Sequence, residues 1–413
     1  MEFDRAKIET AIMKAFLDQY ESTDESMLSC IEKITNEIEA AAKTKTLHVE
    51  EIQDIVERKL MGTKYKTVAK AYTNYRYLHK MARDQYKDLM DSVAEKLSAS
   101  NVQNQNANVD EASFGGRIGE MADLVAKKYA LEYLVSPMAR ANHENNEIYI
   151  HDLNSYAVGS HNCLSIPFDD LLVKGFNTRQ VDIRPAQSIN TAFQLIAVIF
   201  QIQSLQQFGG VSATHLDWTM VPYVRKSFRK HYRDAILYIA DCCDMDKGYI
   251  LDSLTDSMSI DDEAYKKYKK CYKYAMDMTL NECRQAVEGM YHNLNSLQSR
   301  SGNQLPFSSI NYGTCTLPEG RMVTKALLDA SIKGVGKLHK TSIFPCGIFQ
   351  CMNGVNRKPG DPNYDLFKLA LKSTSLRLYP NYANVDWSGN AGYDVNDPRT
   401  YFSTMGKCKL QLM

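Results

Sequence analysis

Apolar residues recur every three or four positions through residues 1–85, the spacing of amphipathic helices. Asp4 is placed to cap a first helix with Ile8, Ile12, Met13 and Phe16 on one face. Met27, Cys30, Ile31, Ile34 and Ile38 mark a second, and Val49, Ile52, Ile55, Val56 and Leu60 a third that stops at Gly62. Val68, Ala71, Tyr72 and Tyr75 open a fourth. Taken alone, this is the pattern of a helical bundle or a partner-binding domain.

The periodicity then lapses. Ser98–Gly116 (SASNVQNQNANVDEASFGG) is rich in Asn, Gln and Ser, so residues 86–116 are expected to link two domains. From 117 to 413 helical and strand-like patterns alternate. Met121–Leu134 reads as a helix stopped by Ser136-Pro137. Gln187–Gln207 reads as a long helix with Ile189, Phe193, Ile196, Ile199 and Phe200 on its apolar side. Ile148–Ile150, Phe307–Tyr312 and Ser342–Phe344 are strand-like runs. The alternation predicts an α/β architecture for this part.

Composition narrows the functional classes. A chain of 413 residues with 44% hydrophobic and 24% charged residues has the make-up of a two-domain globular protein. Its formal net charge is zero, so nothing global points to nucleic acid or to a membrane surface. The longest strongly apolar run, Leu195–Phe200, is too short to span a bilayer, and MEFDRAKIE lacks the apolar stretch of a signal peptide. A cytoplasmic location is the expectation. YKKYKKCYKY (Tyr265–Tyr274) interleaves Lys and Tyr as nucleic-acid faces do, but Asp261, Asp262, Glu263 and Asp277 balance it, as on a solvated helix.

Ten cysteines are scattered along the chain with no C-x-x-C, which excludes a dithiol motif and a ribbon-type zinc site. Most read as small buried hydrophobes. Cys163 stands apart. In IYIHDLNSYAVGSHNCLSIPFDDLL it opens a buried segment, Leu164–Ile166, directly after the polar His161-Asn162. It is either a structural cysteine or a redox or hydrogen-donor thiol. His143-Glu144-Asn145-Asn146-Glu147 lacks the second histidine of a zinc helix, and Gly334-Val335-Gly336-Lys337 lacks the first glycine and the Ser/Thr of a phosphate loop. Pro306–Thr314, with Ser308, Ser309 and Asn311, is a strand running into a Gly313 turn. Such a turn offers N–H groups to a phosphate, or is a plain strand end.

Several of these stretches together carry a resemblance. IYIHDL, HNCL, GGVSATHLDWTMVPY (Gly209–Tyr223), PFSSINYGT (Pro306–Thr314), GVGK and GDPNYD (Gly360–Asp365) are similar to anaerobic, class III ribonucleotide reductases, which are glycyl-radical enzymes. FDRAKIETAI and VEEIQDIVERKLM resemble the ATP-cone, a regulatory domain, without the strand pair that opens it. The resemblance implies part of a ten-stranded α/β barrel over 117–413 and reduction of ribonucleoside triphosphates by radical chemistry. It implies that Cys163 gives a hydrogen as the ribose 2′-hydroxyl leaves, and that Asn162, Ser308, Ser309 and Asn311 meet substrate. It implies ATP, dATP or other deoxynucleotide effectors, with Lys7 in the cone among their contacts, and a dimer interface and specificity site built from helices near 187–207.

The resemblance also implies a finger loop, Met-Gly-Cys-Arg in the family, whose cysteine becomes a thiyl radical. Here FSTMGKCKLQLM places Lys407 between Gly406 and Cys408, which displaces a loop-tip thiol by roughly 3.5 Å. Either one residue is inserted or the reading frame changes after Gly406. The family's zinc site and glycyl-radical loop are expected beyond Met413, so this polypeptide is expected to be inactive alone. Three readings stay open: part of a reductase, one half of a split enzyme completed in trans, or a non-catalytic nucleotide-binding and dimerisation fragment. Expected partners are an S-adenosylmethionine-dependent iron–sulfur activating protein, a second copy of the chain, and a C-terminal half. Membranes and nucleic acids are not among them.

Overall fold

The computed structural model describes residues 4–44, 46–98, 113–159, 163–207, 209–240, 244–298, 304–387, 389–390 and 392–405. They fall into two compact units, Met1–Ser98 and Ala99–Met413. The division lies inside the expected 86–116 linker, because the fourth helix runs on to its end at Ser98.

The first unit holds α1 (Arg5–Gln19), α2 (Glu25–Thr44), α3 (Val49–Met61) and α4 (Lys66–Ser98). Asp4 caps α1 through its Oδ1, which accepts from the Lys7 N–H at 3.3 Å. The stripes read from periodicity meet in one core: Ile12, Phe16, Ile31, Ile34, Ile38, Val56, Leu60, Val68 and Tyr72 are all buried. Arg76 of α4 ties α3 in place. Its guanidinium reaches Glu50 and Glu57, each at 3.0 Å, and also Asp54.

The second unit begins with α5 (Phe114–Tyr129), which passes into a π turn at Ala130–Leu134 and stops before Ser136. Then come α6 (Pro137–Glu144), α7 (Leu153–Tyr156), β1 (Leu164–Ser165), α8 (Phe168–Lys174), the hairpin β2 (Phe176–Asn177) and β3 (Asp182–Ile183), α9 (Ile189–Ser204) and β4 (Val211–Ala213). After them lie α10 (Leu216–Thr219), α11 (Val221–Tyr238), α12 (Asp244–Asp252), α13 (Glu263–Lys266), α14 (Lys269–Ser296), β5 (Ser308–Tyr312), α15 (Pro318–Lys333), β6 (Cys346–Cys351), α16 (Tyr364–Arg377) and β7 (Asn381–Asn384). Five strands make one all-parallel sheet in the order β1-β4-β5-β6-β7. This is the α/β class expected, with half the strands of a whole ten-stranded barrel among the described residues.

Two expected strands are not strands. Ile148–Ile150 follows α6 as irregular chain outside any sheet, with Tyr149 exposed; the Ile148 and Ile150 N–H groups go to Asn142 O and His143 Nδ1. An apolar run of three residues does not distinguish a strand from a tether. Ser342–Phe344 precedes its strand, because Asn295 Oδ1 takes the N–H groups of Ile343 (2.7 Å) and Phe344 (3.2 Å) that a ladder needs. The basic run is a helix surface: Tyr265 and Cys271 are buried, while Lys267, Lys269, Lys270 and Lys273 face outward. Gly334-Val335-Gly336-Lys337 is a tight turn closed by a Val335–Lys340 bridge. Gly334 has φ +74° there, and a Cβ would stand 2.6 Å from the His339 carbonyl oxygen.

Helices α9, α11 and α14 pack together, burying Phe193, Phe200, Phe228, Tyr232 and Tyr291 against Ile310, Tyr312 and Phe349 of the sheet. Glu282 of α14 is the polar pin of this layer. It accepts from the Asn190 N–H at the start of α9 (3.4 Å), from Ser227 Oγ (3.1 Å) and from His231 Nε2 (2.8 Å). Burial pushes its carboxyl up, but these donors outweigh burial and hold it below the usual value of 4.5. A depressed carboxylate stabilises the fold above its unfolded pKa and loses that contribution as pH falls through its folded pKa. Glu282→Gln is therefore expected to lower stability by about 1–3 kcal/mol at neutral pH. The gap to wild type should close as pH drops below 4.5, read from urea midpoints across pH. A pH-independent gap would contradict the assignment.

Candidate functional site

Side chains alternate between the two faces of a strand, and paired residues of parallel neighbours share a face. The registers Ser165–Ser212, Ser212–Ser309, Ser309–Cys346 and Asn311–Ile348 therefore put Ser165, Ser212, Ser309, Asn311 and Gln350 on one face. The other face carries Val211, Ala213, Ile310, Tyr312 and Phe349, which join the helical core. Cys346 and Ile348 share the first face, where Ser212, Ser309, Asn311 and Gln350 are buried and Ser165 is exposed.

Cys163 sits at the head of β1 on the polar side, half-buried. The Gly210 N–H points at its Sγ at 3.4 Å, while the Leu164 N–H returns to Gly210 O at 3.0 Å. Gly210 fits closely here: a Cβ would lie 3.1 Å from the Phe307 ring and 3.3 Å from Phe307 O. Gly210→Ala is expected to cost about 1–3 kcal/mol through this crowding. It should also change the alkylation rate of Cys163, followed by peptide mass spectrometry. An unchanged stability and rate would show that the seat tolerates the methyl group.

The structure separates the expected substrate contacts. Ser309 and Asn311 lie on the Cys163 side, buried. Ser308 does not: adjacent strand residues face opposite ways, and its buried Oγ, on the helix side with Ile310, has no partner among the described residues. Asn162 and Cys408 lie outside the described residues. Lys7 is exposed and pairs with Asp4 at 3.4 Å. A cavity of the first unit lies toward the other end of α1, lined by Lys14, Asp18, Lys70, Asn74 and Tyr75.

The turn after β5 differs from the phosphate cradle its sequence suggested. Asp217, fully buried, accepts from the Gly313 N–H (2.8 Å) and the Cys315 N–H (2.9 Å) through Oδ2, and from the Trp218 N–H (3.1 Å) through Oδ1. Asn363 Nδ2 donates to Gly313 O and Cys315 O, and Asn356 Nδ2 to Gly313 O and Gln350 O. These two turn N–H groups are already bound, which closes them to a ligand. Burial pushes the Asp217 carboxyl upward, against the pull of its N–H donors.

Beside the end of β4, His215 joins Asp169 (Nε2 to Oδ2, 2.7 Å) and Thr214 (Nδ1 to Oγ1, 2.7 Å), lining a cavity with Trp218, Tyr223 and Arg399. Burial raises the Asp169 carboxyl, but His215 and Thr219 more than offset this and leave it lowered. On α11, Lys226, Arg229, Lys230 and Arg233 surround a second cavity floored by Leu251 and Leu254. Asp217, Gln350 and the α11 cations escaped sequence reading. Only Gln350 left a trace, as a polar residue inside the otherwise apolar run CGIFQC.

The first unit is thus a four-helix bundle, and the second a parallel α/β sheet with a thiol heading its polar face. Residues 105–413 match the family described as anaerobic ribonucleoside-triphosphate reductase, and residues 1–81 match the ATP cone domain. The chain belongs to the anaerobic ribonucleoside-triphosphate reductase family. It is 31% identical over 390 residues to the Haemophilus influenzae anaerobic ribonucleoside-triphosphate reductase, covering 93% of this chain and 51% of that protein. To the Escherichia coli enzyme of the same name it is 31% identical over 341 residues, 82% of this chain and 44% of that one. The chain thus spans about half the length of the curated relatives it matches. Among solved structures, the Thermotoga maritima anaerobic ribonucleotide reductase in complex with dATP and CTP aligns with a TM-score of 0.43 at 13% identity, over 73% of this chain and 50% of that chain.

Proposed function

We propose that this chain supplies the Cys163 half of the reaction centre in the anaerobic reduction of ribonucleoside triphosphates to deoxyribonucleoside triphosphates. The observation that supports this most is the placement of Cys163: a half-buried thiol on the polar face of a parallel sheet, toward which the chain at Phe402–Thr404 runs. In this reading Cys163 S–H gives a hydrogen atom to the sugar carbon as the 2′-hydroxyl takes a proton and departs as water, and the reductant supplies both that proton and the hydrogen that restores the S–H. The two electrons come from an external reductant, formate or a dithiol. Ser309 faces the same space and is suited to a substrate hydroxyl. Cys408 would take up and return the 3′-hydrogen. When present, the glycyl radical supplies the unpaired electron; it and zinc would belong to the part of the family's length that this chain does not span, with the iron–sulfur activating protein as a further partner.

Nucleotide effectors fit the same reading. The four cations around the α11 cavity suit a polyphosphate, and the cone unit is the second place for ATP or dATP. The chain would act in the cytoplasm as a homodimer. The test is anaerobic reconstitution: this chain, a C-terminal half from a relative and its activating protein, with each ribonucleoside triphosphate. Deoxynucleotide formed only when all components are present supports the proposal. Effector binding with no product from any combination favours a nucleotide-binding fragment instead.

A further inference from the structure

The residues before Cys408 are held by side chains that no motif explains. Phe402–Thr404 crosses the polar face of the sheet. The Asn311 carboxamide pairs with Thr404 on both sides: Oδ1 accepts from the Thr404 N–H at 3.1 Å and Nδ2 donates to Thr404 O at 3.1 Å. It thus offers the same donor and acceptor as the peptide group of a neighbouring strand. Its Nδ2 is also 2.9 Å from Ala213 O and 3.1 Å from Ser212 Oγ, so β4, β5 and residue 404 are locked together. Two residues earlier, Gln350 Nε2 of β6 donates to Phe402 O at 3.0 Å and to Thr214 O at 3.2 Å. Both amides are fully buried. The orientation of Gln350 is fixed by its network, because a flipped amide would set oxygen against two carbonyl oxygens.

The held segment has a direction. Phe402 is gripped from β6, and Thr404 from β5 and by Ser212 Oγ of β4 at 3.4 Å. Ser212 pairs with Ser165, two residues after Cys163 on the same face of β1. From 402 to 404 the chain therefore steps across the sheet toward the Cys163 strand. The Gln350 Oε1 is buried without a partner among the described residues, an arrangement that costs stability.

We propose that Asn311 and Gln350 are positioning residues, which clamp Phe402–Thr404 across the polar face of the sheet, the face at whose edge Cys163 stands. Asn311 then acts on geometry rather than by touching substrate. The catalytic consequence rests on the proposed reductase reading, whereas the clamp itself does not. The effect on rate should be large, since a displacement of about 1 Å between reacting groups costs on the order of 10²-fold.

The test uses the whole chain with Asn311→Asp and, separately, Gln350→Met. Asparagine to aspartate keeps the acceptor for the Thr404 N–H and removes the donors. Glutamine to methionine keeps length and removes both polar groups. Amide exchange of residues 402–404 should accelerate by at least about tenfold in each variant, while the β4 and β5 amides stay protected in Gln350→Met. Unchanged exchange at 402–404 in Gln350→Met overturns the clamp, even if Asn311→Asp fails to fold. In the reconstituted enzyme, kcat should fall by about 10²-fold with KM within about twofold. If wild type turns over and a released variant keeps its kcat, the positioning role is overturned. If wild type makes no product, the reductase reading falls while the exchange result still decides the clamp.

Discussion

Cys163→Ser is expected to abolish deoxynucleotide formation in the reconstituted enzyme, by at least about 10³-fold in kcat, or ~4 kcal/mol of barrier. Serine matches the shape of cysteine, so the seat at the head of β1, between Gly210 and Leu164, should persist. What changes is chemistry: a hydroxyl gives up a proton or a hydrogen atom far less readily than a thiol. Unfolding midpoints should move by less than about 1 kcal/mol, because Cys163 is half-buried and serine can keep the contact with the Gly210 N–H. Effector binding should be unchanged. Full turnover by the serine variant would remove Cys163 from the reaction and leave it a structural residue.

Asp217→Ala is expected to be the most destabilising of these single changes, at roughly 3–5 kcal/mol, because buried N–H groups left unpaired cost about 1–3 kcal/mol each. The Gly313 and Cys315 N–H groups have no water to turn to at a residue with no exposed surface. Asp217→Asn, which keeps acceptors but turns donors toward donors, should fall between alanine and wild type. The measurement is a urea titration of the full chain. A shift below about 1 kcal/mol for alanine would mean that the turn re-forms without its carboxylate. The damage should reach the polar face as well, since Asn356 links Gly313 O to Gln350 O.

Much of the architecture was legible because it depends on local periodicity. The four stripes of the first unit close into one core, and the apolar side of 187–207 becomes the buried face of α9. Phe307–Tyr312 is a strand almost to the residue. Ile148–Ile150 and Ser342–Phe344 misled because a strand needs a neighbour to accept its ladder, and their N–H groups are taken by nearby acceptors instead. Ser308 and Ser309 looked interchangeable in PFSSINYGT, yet the pleat sends them to opposite faces, and only register says which face meets Cys163.

Helix positions, the α/β class and the singling out of Cys163 were determined by the sequence alone. Each follows from spacing or from a motif contained in a few adjacent residues. The tertiary structure decided which backbone groups the buried amides and carboxylate hold. Asn311, Gln350 and Thr404, or Asp217, Gly313 and Asn363, lie far apart in the chain and meet only through parallel pairing. A buried amide or carboxylate takes its role from the backbone groups it must satisfy. Those partners are set by strand order and register, which no local pattern in this chain encodes.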